Sequence, residues 1–254
     1  MSLIKETAYK VLDTVTLGRG VERTIGGERI RFPARWSRYY EAEYEPETFR
    51  FFHEYVKPGD TVLDIGGHIG LFAVVTARLV GSEGKVFSFE PTPFTRGVLQ
   101  EVVTLNGCDG TVEVRREAVT SQRGELTFFD TGNAISNANS LVRTDLSKNE
   151  IRVPAISVDE FAAELELKVD CLKIDVEGAE FDVLRGARDT FLRERPVARL
   201  GLHPAFIVQN GQSLDDIWKL LEEYRLNVVF EGRPAMREWF VSQEHLFDVN
   251  LLPS

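Results

Sequence analysis

Three acids, a histidine and a glycine turn fall where a sheet would present them together. Asp64 lies near the end of an apolar run, Val62 to Ile65, that stops at Gly66-Gly67 and restarts as a helical pattern from Ile69 to Leu79. Glu90 closes a second run, Lys85 to Phe89. Asp175 closes a third, Val169 to Ile174, with Glu177 just after it, and His203 follows a fourth, Val197 to Leu202. A glycine turn between strand and helix brings backbone N–H groups close to a ligand and aims a helix N-terminus at it. An acid at the tip of the second strand is the usual acceptor for ribose hydroxyls.

The turn's spacing narrows the ligand. Gly66, Gly67 and Gly70 do not make a G-x-G-x-x-G, because His68 stands at the second glycine position. No pyrophosphate cradle is implied. Carboxylates at Asp64 and Glu90 suit a ligand with hydroxyls and a positive charge. S-adenosylmethionine fits: a sulfonium, an ammonium and a ribose, without phosphate. His68, inside the turn, is expected to touch this cofactor. Asp175 beside a sulfonium can hold a substrate hydroxyl, act as a base or bind Mg²⁺. His203 can take the proton of a hydroxyl as a methyl group is transferred. These two are the catalytic candidates, and which is the base stays open. Glu177 reads equally as a substrate contact or a helix cap, and Glu180 reads as a cap. Lys173, mid-strand, needs a partner. Asp175, Glu177 and His203 could group around a metal, but nothing in their spacing fixes the distances, and Mg²⁺ is not favoured.

Elements that alternate along the chain must position these residues. Leu3 to Val15 has helical periodicity. Arg23 to Ile25 and Arg29 to Phe32 flank Gly26-Gly27 as a hairpin. The stretch Arg35 to Tyr44 is rich in aromatics and reads as a pocket lid or a packed cap. Pro46 opens a helix to about Tyr55. After Glu90 a helix runs from Pro91 to about Leu105. Strands follow at Val112 to Val114, Gly124 to Asp130 and Ile151 to Ile156, and Ser157 and Glu160 form a capping box. Gly132 to Ser140, small and polar, is a loop. Leu214 to Tyr224 is an amphipathic helix, Leu226 to Phe230 a strand, and Phe247 to Leu251 the last. This alternation predicts an α/β fold, mainly parallel, with helices on both faces of the sheet.

The 254 residues suit one α/β domain with a small extension. A formal charge of −10 weighs against nucleic acid or an anionic membrane as partner. The two cysteines, Cys108 and Cys171, give no disulfide framework or zinc spacing and point to a reducing compartment. No run is long and apolar enough to span a bilayer, and the first ten residues lack an apolar signal core. A cytoplasmic location is expected.

Four stretches together resemble the FkbM-type S-adenosylmethionine-dependent methyltransferases: Val62-Leu63-Asp64-Ile65-Gly66-Gly67-His68-Ile69-Gly70, Phe89-Glu90-Pro91-Thr92-Pro93, Asn139-Ser140-Leu141, and Leu172-Lys173-Ile174-Asp175-Val176-Glu177-Gly178-Ala179-Glu180. The last is the specific one. The resemblance implies a class I methyltransferase fold, Rossmann-like, with a seven-stranded sheet whose last strand is antiparallel. It implies O-methylation of a hydroxyl, commonly on a sugar-containing or polyketide-type metabolite or a glycan. It places Asp64, Gly66 and Gly70 along the methionine half of the cofactor. It puts Glu90, with Pro91 beside it, at the ribose, and Glu117 and Ala118 at the adenine. Tyr44 and Glu45 match a pair near the cofactor, and Asn139 and Ser140 a loop facing substrate. Two positions depart from the family. Gly67-His68 stands where Ala-Asn is frequent, and Gly201 stands where an acid often precedes the histidine by two residues.

The division expected is residues 1–43 as a helix-and-hairpin cap and 44–254 as the methyltransferase domain. The acceptor is expected to be a hydroxylated small molecule. N-methylation or RNA methylation is the alternative enzyme; the acidic charge and the lack of an Asn-Pro-Pro-Tyr-like tetrad argue against it. A non-catalytic cofactor-binding module is the alternative outside enzymology, opposed by the retained Asp64, Glu90 and Asp175. The N-terminal elements either cap the pocket or pair two subunits as a homodimer.

Overall fold

The computed structural model describes Tyr9 and residues 18–130 and 149–254. The expected helix Leu3 to Val15, Tyr9 apart, and the loop Gly132 to Ser140 lie outside these residues. A hairpin opens the described chain: β1 (Val21–Ile25) pairs antiparallel with β2 (Glu28–Phe32) across Gly26-Gly27. Then come α1 (Pro46–Tyr55), β3 (Thr61–Ile65), α2 (Leu71–Val80), β4 (Lys85–Phe89), α3 (Pro93–Leu105) and β5 (Val112–Arg115). Three strands, β6 (Ala118–Val119), β7 (Gly124–Asp130) and β8 (Asn149–Ile156), form a separate small sheet in the order β6-β8-β7. The rest is α4 (Val158–Glu164), β9 (Cys171–Ile174), α5 (Glu180–Arg185), α6 (Arg188–Arg193), β10 (Val197–Leu202), α7 (Pro204–Gln209), α8 (Leu214–Glu223), β11 (Leu226–Phe230), β12 (Arg233–Pro234), α9 (Arg237–Val241) and β13 (Phe247–Pro253).

The main sheet runs β12-β11-β13-β10-β9-β3-β4-β5. From β10 to β5 the strands are parallel, and β13 is antiparallel to both its neighbours. This is the class I arrangement, with the two-residue β12 added at one edge. The chain walks outward from β3 to β5, then returns to β9 on the other side of β3. That reversal opens a crevice at the strands' carboxyl ends, where open α/β sheets take their ligands.

Strand alternation builds two cores. Leu63, Ile65, Phe87, Phe89, Leu172 and Ile174 face α4, α5, α6 and α8. Val62, Val86 and Cys171 face α1, α2, α3 and the hairpin, whose Ile25, Ile30 and Phe32 join the same cluster. The capping box on α4 forms as expected, Ser157 Oγ accepting the Glu160 N–H. Helices α6, α7 and α9, of five or six residues, escape the sequence reading because they are too short for a period of 3.6 to register.

One register row is polar. Asp64 pairs with Ser88 on β4 and Lys173 on β9, and Lys173 pairs with Arg199 on β10, which pairs with Asn250 on β13. Ser88, Asp64, Lys173 and Arg199 are all buried. A charged row across five strands survives burial only if its members satisfy each other. Ser88 Oγ donates to Asp64 Oδ2 at 2.7 Å, and Arg199 reaches Asn250 Oδ1 at 2.8 Å and Asp248 at 3.0 Å.

Candidate active site

A cavity opens over the tips of β3, β4, β9 and β10, where the glycine turn, Glu90, Asp175, Glu177 and His203 meet. Tyr40, Tyr44 and Glu45, from the segment ahead of α1, close one side, so the aromatic stretch is packed cap and pocket wall at once. Glu117, Ala118 and Val119 line the opposite end.

Gly66 and Gly67 are glycines because neither has room for a side chain. A Cβ on Gly66 would stand 1.9 Å from the Asp175 carbonyl oxygen, and one on Gly67 2.0 Å from Ser88 Oγ. Their amides do not serve a ligand, contrary to the sequence expectation: both donate to the Phe89 carbonyl, at 3.1 and 2.9 Å. The turn is thereby tied to the tip of β4 and carries Glu90 into the cavity. Glu90 is buried. Its Oε1 accepts the Thr92 N–H at 2.8 Å, and the His68 N–H also bonds the carboxyl. Burial pushes this carboxyl up to about 7, against the pull of those donors.

His68 takes a left-handed backbone, φ +48°, and its ring lies between Tyr39 and Tyr40. The Tyr40 hydroxyl is 3.1 Å from Nδ1, and Nε2 is buried without a partner. Burial, and then the Lys173 charge, push the imidazole down to about 4, so it is neutral at physiological pH.

Lys173 finds the partners a buried lysine requires. Its Nζ lies 3.2 Å from Asp175 Oδ2, 3.3 Å from the Gly66 carbonyl oxygen and 4.0 Å from Asp64 Oδ1. Burial would raise the Asp175 carboxyl, but Lys173 and His203 outweigh it and hold it below the usual range. His203, at the N-terminus of α7, faces two acids. Its Nδ1 is 2.7 Å from Glu180 Oε1 and its Nε2 3.7 Å from Asp175 Oδ1. Burial would lower this imidazole, and the Glu180 carboxylate more than offsets it, so the ring is more basic than an ordinary histidine.

Of the residues singled out from the sequence, Tyr44, Glu45, Gly66, His68, Glu90, Pro91, Glu117, Ala118, Asp175, Glu177 and His203 line this one cavity. Asp64 and Gly70 do not. Asp64 is 1% exposed and spends its carboxylate on Ser88 and Lys173, behind the wall. Gly70, at φ +87°, turns the chain into α2. Both shape the site without reaching it. Asn139 and Ser140 lie outside the described residues. Asp175, Glu177 and His203 do not assemble as metal ligands: among the described residues no three His, Cys, Asp or Glu side chains are grouped to hold an ion.

Glu180 is the residue the sequence reading undervalued. It is fully buried, opens α5, and accepts the Gly178 N–H at 3.1 Å as a cap would. The same oxygen also holds His203. At Gly201, where the resemblance implies an acid, a Cβ would come 3.1 Å from Asp248 and 3.4 Å from Asp175. The histidine therefore takes its carboxylate from a different strand-to-helix connection. The cavity-lining acids Glu90, Asp175 and Glu177 suit a ligand that carries positive charge and hydroxyls.

Comparison with known proteins agrees with this geometry. The family described as the methyltransferase FkbM domain matches residues 64–227, more than half the chain. A curated relative, Methyltransferase 1 of Beauveria bassiana, is 30% identical over 152 residues, covering 52% of this chain and 60% of the relative. Methyltransferase sdnD of Sordaria araneosa is 28% identical over 157 residues, covering 49% and 59%. The chain thus spans about three-fifths of the length of the curated relatives it matches. An S-adenosylmethionine-dependent O-methyltransferase structure from Thermotoga maritima shares the fold, with a TM-score of 0.50 at 17% identity over 95% of this chain and 81% of that one.

Proposed function

The chain belongs to the FkbM methyltransferase family, whose members are S-adenosylmethionine-dependent enzymes, and on that premise we propose that it methylates a hydroxyl group of a small, uncharged acceptor. The cofactor, when bound, supplies an electrophilic methyl group on a sulfonium. The protein must then align a hydroxyl with it, exclude water and take a proton. Glu90, fixed by two backbone amides, is the acceptor for the ribose hydroxyls. Glu117 and Ala118 flank the adenine. Asp175 stays ionised against Lys173 and faces the positive charge.

His203 is the base in this reading. Glu180 holds Nδ1–H, which leaves Nε2 as the basic nitrogen, next to the cavity. Asp175, clamped by Lys173 and held acidic, is a poor proton acceptor. The Glu180–His203 pair in the cofactor cavity is the observation that carries the O-methyl assignment, because a hydroxyl must lose its proton as the methyl arrives. The acceptor side combines acid-rich walls with an exposed apolar residue. Leu246, 64% exposed, lines the cavity. The acids and this apolar residue disfavour an anionic acceptor and fit a sugar-containing or polyketide-type metabolite or a glycan.

The first experiment is calorimetric titration with S-adenosylhomocysteine, in wild type and Glu90→Ala, followed by methyl transfer from labelled cofactor to a panel of neutral hydroxylated acceptors. Micromolar-range binding, about −8 kcal/mol, weakened some ten- to hundredfold in the variant, and methyl ether products support the reading. No binding at millimolar ligand removes the cofactor assignment. Label found only on amines or RNA removes the O-methyl assignment, and binding without transfer to any acceptor supports a non-catalytic module.

A further inference from the structure

Glu177 stands in the cavity wall in a conformation that few residues other than glycine adopt. Its backbone is left-handed, φ +50°, which disfavours any residue with a Cβ, and it makes no hydrogen bond or ion pair with a described residue. The groups facing it make matters worse. Asp175, two residues before it, Glu90, which lines the same cavity, and Glu180 are all acids that act on it, and Tyr39 feels its charge. Among the described residues the cations nearby are committed elsewhere, Lys173 to Asp175 and Asp64, His203 to Glu180. A half-buried, unpartnered carboxyl among acids is in its unfavourable state until a positive charge arrives.

We propose that Glu177 distinguishes the sulfonium cofactor from its thioether product: it holds a proton in the empty cavity, releases it when the cation binds, and takes one back once that charge is gone. This rests on the cofactor reading above. Burial and the neighbouring acids push the Glu177 carboxyl up to about 9, so at neutral pH it is protonated, and a cation in the cavity lowers it. The balance closes. Sulfonium and alcohol become thioether, methyl ether and one proton. The methyl–sulfur bond breaks with its electron pair left on sulfur, the methyl–oxygen bond forms, and the hydroxyl proton leaves through His203. With the sulfonium charge gone, Glu177 can be protonated again. The cavity then favours the charged cofactor over the neutral product more strongly as pH rises.

The test needs no acceptor. Calorimetric titrations at neutral pH, in two buffers of different ionisation enthalpy, count the protons released by S-adenosylmethionine and by S-adenosylhomocysteine. Both ligands carry the same ribose to Glu90, so any proton lost there is common to the two. Wild type should release close to one proton more with S-adenosylmethionine, and Glu177→Gln should abolish the difference. Equal counts in wild type, or a difference that survives in Glu177→Gln, overturns the proposal. Failure of both ligands to bind wild type overturns the cofactor reading instead. Should Glu177→Gln not fold, the wild-type affinities carry the test between about pH 6 and 7, where the ligands' amino groups stay protonated. The preference for S-adenosylmethionine should then grow by about tenfold per pH unit, and a flat ratio refutes it.

Discussion

Replacing Lys173 by Met should destabilise the fold by roughly 3–5 kcal/mol, the cost of leaving a buried charge without its partner. The structure says which charge bears that cost. Asp175 is 36% exposed at its side chain and can turn to water, and His203 lies 3.7 Å away. Asp64 is 1% exposed, its Oδ1 already lacks a hydrogen bond, and without Lys173 it keeps only Ser88. Asp64 therefore dominates. For a domain of this size the loss corresponds to a fall in Tm of roughly 6–20 °C. Adding Asp64→Asn should restore most of it; adding Asp175→Asn should restore little. The pH dependence has a definite sign. Burial already holds the Asp64 carboxyl above its ordinary value of 3.8, and removing Lys173 raises it further. Between about pH 4, where an unfolded Asp titrates, and the raised folded value, the folded state binds more protons than the unfolded one. Stability relative to wild type then falls as pH rises, so the penalty is greatest at neutral pH and shrinks toward pH 4. Urea unfolding of the three variants across that range measures it. A loss below about 1 kcal/mol, or a penalty independent of pH, would refute the assignment of Lys173 as the counter-ion of a buried acid.

Glu90→Ala removes at least one charge-assisted hydrogen bond to ribose, worth about 1.5–3 kcal/mol, so S-adenosylhomocysteine should bind some ten- to hundredfold more weakly; an unchanged heat of binding contradicts its role. Glu180→Gln removes the charge that sustains the basicity of His203, and burial then prevails. In histidine-labelled protein the His203 NMR titration should move to lower pH, and an unmoved midpoint means that the pair does not control the ring. Gly67→Ala pushes a methyl group to 2.0 Å from Ser88 Oγ and 2.9 Å from Leu99 and should cost about 1–3 kcal/mol. Gly97→Ala, inside α3 with open space around its Cβ, should gain about 0.5–1 kcal/mol. Thermal melts that rank these two the other way would overturn the packing described at the turn.

The strand tips were legible because each is a local event. An apolar run that ends in Gly66-Gly67, or in Asp175 followed by Glu177-Gly178, announces its own boundary within ten residues. Parallel pairing then brings the tips together whatever lies between. The boundaries of β10 and β11 coincide with the sequence reading for the same reason. What lay outside local reach was register. Nothing near Arg199 signals that it pairs beside Lys173, or that Lys173 pairs beside Asp64, more than a hundred residues earlier in the chain. Asp64 read as a cofactor contact because a strand-tip acid has that use, yet a single register position moves it from the tip into the row behind.

Glu180 illustrates a different limit. An acid at the first position of a helix already has a sufficient local explanation in the helix dipole, so its type carries no further information. Its second role depends on α7 starting at the end of β10, which brings His203 to within 2.7 Å of it across 23 residues of sequence. The same placement explains why Gly201 is no loss. A carboxylate there would enter the space between Asp175 and Asp248, adding a third acid to two whose respective cations, Lys173 and Arg199, are already engaged. Supplying the histidine's acid from α5 keeps that carboxylate on Nδ1 and, in the proposed reading, leaves Nε2 for the acceptor. The cavity can then hold a basic histidine and a row of acids without setting one against the other.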